Sequence, residues 1–237
     1  MSVFTYHLAK TTVGTALAAM CSPPRSSQVP GLIHAECMAS MTLGSSIVSP
    51  SRMKLNQLAV FAKWESDDAI DDFLANTKLG TALAKGWHVR MEFQRRWGHV
   101  DEFGGLPESI GEEDMDAPVV SVTLARMKLL QIPRFIRWGK PVEELVRDHP
   151  GITLATAAIR LPRTVSTFSV WRSKREMLEM VSGRSQIPQT NRHAVAMKER
   201  QRKDFHRQFT TLRFKALAEY GEWEGQSNIV PSLSSNI

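Results

Sequence analysis

The clearest alternation of apolar and polar positions runs from Thr164 to Trp171, where β-branched and aromatic residues follow Pro162 and Arg163. A run of this length and composition predicts a strand buried on one face. The period then changes. Ser173 and Glu176 have the spacing of a capping box, with Met177, Leu178 and Val181 as the apolar side of the helix that follows. After a loop from Gly183 to Thr190, Asn191 is placed to cap a longer helix running to about Arg207. Thr210 to Leu217 then returns as a strand, stopped by Gly221.

The same strand-then-helix pattern occurs once before. Phe61 to Trp64 precedes Ser66 and the apolar positions Ala69, Ile70, Phe73 and Leu74, as Phe168 to Trp171 precedes Ser173, Leu178 and Val181. The offset between Trp64 and Trp171 equals that between Ser66 and Ser173, which points to a duplicated domain rather than a solenoid. Each half reads strand, helix, strand, strand, helix, strand. The first half has strands near Val3–Leu8, Leu32–Met41, Gln57–Trp64 and His88–Arg96, and a short helix from Thr11 to Met20. The second half has strands near Val119–Met127, Ile152–Ile159, Thr164–Trp171 and Thr210–Leu217. A split βαβ unit gives an antiparallel sheet with helices on one face. Two such sheets packed together form an α+β barrel, so the expected fold is a pair of ferredoxin-like halves making a dimeric-α+β-barrel-type fold within one chain.

The expected organisation is an N-terminal half over 1–105, an acidic Gly-rich linker over 106–116, a C-terminal half over 117–225 and a flexible tail over 226–237. Duplication supplies internally the partner that a single unit gains by dimerising, so both a monomer and a homodimer are compatible with a closed barrel.

Composition narrows the class. The 237 residues are 42% hydrophobic and 23% charged, enough for one large core or two small ones. Two cysteines, Cys21 and Cys37, make no disulfide framework, and neither a Cys-x-x-Cys pair nor a His-rich cluster offers a zinc site. A reducing, cytoplasmic setting is the simpler expectation, with peripheral membrane association allowed. Val13 to Cys21 has the look of a signal-peptide core, but it lacks a cationic lead and has a bulky Met before the cysteine. No apolar run approaches the ~20 residues that span a bilayer. The formal charge of +6 permits an anionic partner. Much of that excess lies in Lys198, Arg200, Arg202, Lys203 and Arg207, which read as a solvated helix face or a propionate- or phosphate-binding patch. No recognition motif accompanies the charge, so nucleic acid is not an expected partner. Neither a Gly-x-Ser-x-Gly elbow, a P-loop nor a Gly-x-Gly-x-x-Gly turn is present, which argues against a serine hydrolase and against a flavin or nicotinamide domain.

The expected long helix carries two histidines. At ~100° per residue, Ala194, Met197 and Phe205 fall within one ~80° arc with His193 at its edge, while His206 is turned about 220° from His193. On that wheel only His193 borders the apolar side.

Several pieces of the second half recur in a fixed order: Trp138-Gly139, Asp148-His-Pro-Gly151, Thr167-Phe-Ser-Val-Trp171, His193-Ala-Val-Ala, a basic helix with Phe205 and Phe209, Arg213-Phe214 and Gly221-Glu-Trp-Glu-Gly225. Together they resemble the C-terminal half of the spheroidene monooxygenase family of carotenoid biosynthesis. The first half is similar more loosely, at Phe61 to Trp64 and Arg96 to Gly98. The chain departs from that pattern before His193, where the segment is longer and lacks a Gly-Pro lead-in. It departs again at Lys203-Asp-Phe205, which stands where the family has Gly-Trp-Phe.

The resemblance implies a dimeric-α+β-barrel-type fold, haem b, and oxygen insertion into a hydrophobic small-molecule substrate with electrons from an unidentified donor. A haem iron needs a neutral imidazole, an apolar slot and a cation for its carboxylates. His193 would supply the metal ligand, Phe135, Trp138, Phe168 and Met197 the slot, and Arg200 the cation. Phe168 and Trp171 lie at odd spacing on one strand, so they face opposite sides, and Phe168 is the expected pocket residue. The alternatives are a cofactor-free monooxygenase on the same fold and a non-catalytic haem- or lipophile-binding protein. The sequence singles out no catalytic side chain.

Overall fold

The computed structural model describes residues 2–45, 52–112, 114–188 and 191–231. Its eight strands are β1 (Val3–Lys10), β2 (Leu32–Met41), β3 (Met53–Trp64), β4 (Trp87–His99), β5 (Val119–Met127), β6 (Ile152–Arg160), β7 (Thr164–Trp171) and β8 (His206–Tyr220). All neighbouring strands are antiparallel and close into a barrel in the order β1-β3-β2-β6-β7-β5-β8-β4. The two sheets within it, β4-β1-β3-β2 and β8-β5-β7-β6, have the same order, as the duplicated ferredoxin-like reading requires. Their two seams differ. β4 and β8 pair from His88↔Tyr220 to His99↔Phe209, whereas β2 and β6 share only the pairs of Ala39, Ser40 and Met41 among the described residues.

Period-2 alternation sorts each strand into an inner and an outer face. In β1, Phe4, Tyr6 and Leu8 enter the barrel, and Thr5, His7 and Ala9 face outward. The interior is filled by rings from both halves, including Phe4 against Phe214 at 4.9 Å and Tyr6 stacked on Phe168 at 3.9 Å. Phe168 is therefore part of the barrel core. Trp171 lies on the outer face, so the two do point to opposite sides as expected.

Helices cover the outer faces. In the first half these are α1 (Val13–Cys21), α2 (Asp67–Asn76) and α3 (Lys78–Leu83); in the second, α4 (Ile132–Arg147), α5 (Lys174–Ser182) and α6 (Arg192–Arg202). Ser66 caps α2 by accepting from the Ala69 amide, and Ser173 caps α5 by accepting from the Glu176 amide. The Ser173 hydroxyl also donates to the Glu176 carboxylate, so the box closes side chain to side chain. Trp64 sits beneath α2 with its indole N–H donated to Thr5, and Trp171 sits beneath α5 with its indole N–H donated to Ser169. Met177 and Met180 form the buried side of α5, while Val181, expected there, is 36% exposed.

The long helix expected to reach Arg207 stops at Arg202. Asn191 makes no side-chain cap, and the buried side chain of α6 is Ala196 rather than the Ala194, Met197 and Phe205 arc. Beyond Lys203 the Asp204 carboxylate accepts from the His206 amide, and the Phe205 carbonyl accepts from the Lys128 amide. These bonds turn the chain into β8, which pairs with β5 from Met127↔His206 onward. Sheet pairing thus takes over a segment whose local composition favours helix, and it moves both Phe205 and His206 off the helical wheel.

β8 ends at Gly221, where φ is +74° and a Cβ would lie 2.1 Å from the Gly86 carbonyl oxygen. The next segment is packed rather than loose. Ile229 is buried in the barrel core, and the amides of Ile229 and Val230 donate to Glu219. Residues 232–237 of the expected tail lie outside the described residues.

Candidate functional site

The helical layer of the second half holds five of the six residues singled out from the sequence. α6 carries His193, Met197 and Arg200 at i, i+4 and i+7, a spacing that places them on one face. α4 packs beside it, bringing Phe135 and Trp138 to a cluster with Ile132, Val165 and Phe209 around the buried Ala125, Met127 and Phe205. Phe135 meets Phe205 edge-on at 6.1 Å, and the Arg200 guanidinium lies over the Phe209 ring at 3.7 Å. Met197 and Arg200 line a cavity of about 420 Å³ together with Gln201 and Asp204. Phe168, inside the barrel, is separated from this group by the sheet itself.

His193 is half-buried at the start of α6. Its Nδ1 lies 3.0 Å from the Val181 carbonyl oxygen. A carbonyl can only accept, so Nδ1 carries the hydrogen in the neutral ring and Nε2 keeps its lone pair. Burial lowers the His193 pKa, against an upward pull from the Val181 bond. The ring is therefore neutral at pH 7 and presents one free nitrogen.

His206, excluded on the expected helical wheel, proves to be the more buried ring, at 5% exposure. Nδ1 is 3.0 Å from the Asp204 carboxylate and Nε2 has no partner. Phe135, Phe205 and Phe209 surround it at 5.7, 5.8 and 4.9 Å. Burial and the Arg200 charge push its pKa down to about 4 despite the opposing pull of Asp204. A carboxylate holding Nδ1 fixes the tautomer and raises the basicity of Nε2, an arrangement common behind metal-bound histidines. Only the alternation of a strand beginning at His206 could have revealed it in the sequence, and the basic helical composition hides that signal.

Donor chemistry and surroundings fit a haem in part. A neutral imidazole, aromatic walls from Phe135 and Trp138, the thioether of Met197 and the Arg200 cation share one layer; Phe168 is not among them.

A second polar group went unsignalled because its members are far apart in sequence. Glu36, Arg126 and Arg160 lie on the inner faces of β2, β5 and β6 at one end of the barrel, beside His34 and Glu102. Burial alone would raise the Glu36 carboxyl, but hydrogen bonds from His34 and Arg126 and the charges of Arg126 and Arg160 bring it down to about 2. Arg126 and Arg160 both pair with Glu36, and Arg126 also pairs with Glu102, which is the pattern of a structural ion cluster. The Asp148 to Gly151 turn is also structural. Its His149 accepts from the Gly151 amide, lies 3.2 Å from Ser185 and packs against Trp171.

No family model matches the chain, and no curated protein matches it in sequence. Among solved structures, a candidate monooxygenase from Fusobacterium nucleatum is 9% identical, with 93% of this chain and 94% of that one aligned at a TM-score of 0.41. An anthrone oxidase-like protein is 13% identical over 98% and 97% of the two chains, with a TM-score of 0.33. A heme-degrading enzyme from Listeria monocytogenes is 9% identical over 88% and 98%, with a TM-score of 0.28. Likenesses this distant leave the activity of the present chain to be argued from its own residues. No helix among the described residues is long and apolar enough to cross a membrane.

Proposed function

We propose that the chain is a haem-dependent, monooxygenase-like oxidoreductase acting on a hydrophobic small molecule, in which residues of the α4–α6 layer would hold haem b and His193 would be the donor to its iron. The observation that carries this reading is the tautomer of His193, whose Nδ1–H is committed to the Val181 carbonyl so that Nε2 is left as a metal donor. Met197 and Arg200 on the same face of α6 add a polarisable wall and a cation for a propionate, and Phe135 and Trp138 on α4 add aromatic surface. The order of motifs shared with the spheroidene monooxygenase family supports the same assignment. Bound haem would supply the oxygen-activating iron. The chain's own contribution is to orient the ligand ring, neutralise a carboxylate and exclude water with apolar side chains. Electrons would come from a separate donor.

A second reading places the axial ligand at His206, and the unpartnered Nε2 in its phenylalanine cage favours it. That nitrogen is sealed, so a macrocycle reaches it only if α4 or α6 moves. Haem titration of the wild type, His193→Ala and His206→Ala separates the readings through the Soret band. The proposal expects loss of the band's ligand-dependent position in His193→Ala alone; loss in His206→Ala alone selects the second reading. Absence of a Soret shift in the wild type leaves the cofactor-free alternative.

A further inference from the structure

Three leucines stand out from the barrel at the end that also holds Glu36, Arg126 and Arg160. Leu129 is 46% exposed, Leu130 93% and Leu161 66%. The register brings them to one rim: β5 ends at Met127 opposite His206, and Arg126 and Arg160 both pair with Thr164 beside the β6–β7 turn that carries Leu161. The Met127 amide donates to the Arg163 carbonyl, which ties that turn to the one carrying Leu129 and Leu130. Single exposed leucines are ordinary, but three on adjoining turns make a patch. The fold does not demand them. In the first half the chain leaves β1 through the polar pair Thr11 and Thr12, and Thr12 caps α1 by accepting from the Thr15 amide.

We infer that this rim is a docking surface for an anionic lipid bilayer, with the three leucines entering the headgroup region and the cations around them meeting lipid phosphates. Charge complementarity selects the partner. The Lys128 amide donates to the Phe205 carbonyl and the Lys128 Nζ to the Asp204 carbonyl, which holds the basic end of α6 beside Leu129. Lys128, Lys203 and Arg207 are therefore exposed on one side of the patch, and Arg163 adjoins Leu161 on the other. Residues 128–140 contain no acid. Along α6 and its exit, Glu199 is paired with Arg134 and Arg202, and Asp204 with Arg200 and His206. Asp101, which meets the rim at β8, is held by Gln208 and His99. The patch keeps an excess of positive charge.

Shape separates a bilayer from a protein partner. A protein interface of ordinary size buries about 800 Å² a side around a contiguous apolar centre. Here the apolar groups project from two turns and are bordered by cations, the pattern of a surface that inserts shallowly among charged headgroups. The docking does not depend on haem. It would set the α4–α6 layer beside the membrane, where a hydrophobic substrate dissolves, and that consequence alone rests on the proposed function.

The test uses the full chain without haem, floated with vesicles of phosphatidylcholine alone and of an equal mixture of phosphatidylcholine and phosphatidylglycerol. The protein should float with the mixed vesicles only, and less at high salt because the phosphate contacts are screened. Leu129→Ser, Leu130→Ser and Leu161→Ser combined should weaken binding at least about tenfold without moving Tm, since these side chains are exposed in the folded chain. Lys203→Gln and Arg207→Gln should each weaken it roughly fivefold. In a Cys21→Ser background, a polarity-sensitive fluorophore attached through Leu130→Cys should shift to the blue on mixed vesicles, and one attached through Leu17→Cys on α1 should not. No flotation of the wild type, flotation that survives the triple leucine variant, or equal shifts of the two labels would overturn the inference. A self-associated wild type that becomes monomeric in the leucine variant, with no vesicle binding, would assign the rim to a second copy of the chain instead.

Discussion

The two helical layers rest on sheets of the same order and yet are finished differently. In the first half, α1, α2 and α3 seal a cluster that joins Ala16, Ala19, Ile70, Phe73, Leu74 and Leu83 to Trp64 and the outer faces of β1, β2 and β3. In the second half, the 16-residue α4 buries only Leu145 and the 11-residue α6 buries only Ala196, while Phe135, Trp138 and Met197 stay half-buried. The core is shared by both halves through the barrel interior, so the second can leave its outer layer incomplete without losing the fold. What that layer lacks in apolar burial it has in half-buried groups, with the edges of Phe135 and Trp138, the His193 imidazole and the Met197 thioether.

The sharpest way to break the comparison is to truncate one ring in each layer. Phe73→Ala, on the buried side of α2 and against Trp64 at 5.1 Å, should cost roughly 3–5 kcal/mol, the usual range for a buried ring. Phe135→Ala on α4 should cost less, about 1–2 kcal/mol, because its ring is only partly buried against Phe205 and His206. Urea denaturation of both variants checks this, and equal losses would mean that the second layer is as tightly packed as the first.

Acid acts on the two layers alike. The pKa of His88 in the first layer and of His206 in the second are each lowered to about 4. A histidine depressed in the folded state is protonated first in the unfolded chain as pH falls through its ordinary value near 6.5. Native stability is therefore full above that pH, declines below it and levels off under about 4. Each ring accounts for roughly 3 kcal/mol over that window at 1.36 kcal/mol per pKa unit. His206→Phe should flatten its share of the slope in thermal melts taken across the window, leaving the share of His88. An unchanged slope would mean that His206 is already charged.

Smaller effects test local devices. Asp204→Ala removes both the carboxylate on His206 Nδ1 and the turn that opens β8, and should cost about 1–2 kcal/mol. Ser66→Ala and Ser173→Ala each lose a helix cap and should cost about 1 kcal/mol, with the two values alike because the caps are equivalent in the two halves.

The strands were legible because each carries its alternation within a few residues, and the offset shared by Trp64–Ser66 and Trp171–Ser173 exposed the duplication before any contact was known. The end of α6 was not legible. Residues 200–205 are locally helical in composition, and what stops the helix is the Asp204 turn and the pairing of His206 with Met127, a residue remote in sequence. His193, Met197 and Arg200 survive on one helical face because i, i+4, i+7 spacing is independent of where the helix ends. Phe168 was correctly assigned to the side opposite Trp171, but which side is the barrel interior depends on closure of the sheet. His7 and His88 are polar residues on outward faces, and only the helices packed over them make them buried.

Hydrogen exchange with and without haem tests most directly whether the second layer is the binding side. Amides of α4 and α6 should exchange faster than those of α1 and α2 in the free protein and become protected when haem is added, with α1 and α2 unchanged. Equal protection of the two layers before haem, or haem-induced protection confined to the first, would contradict the account.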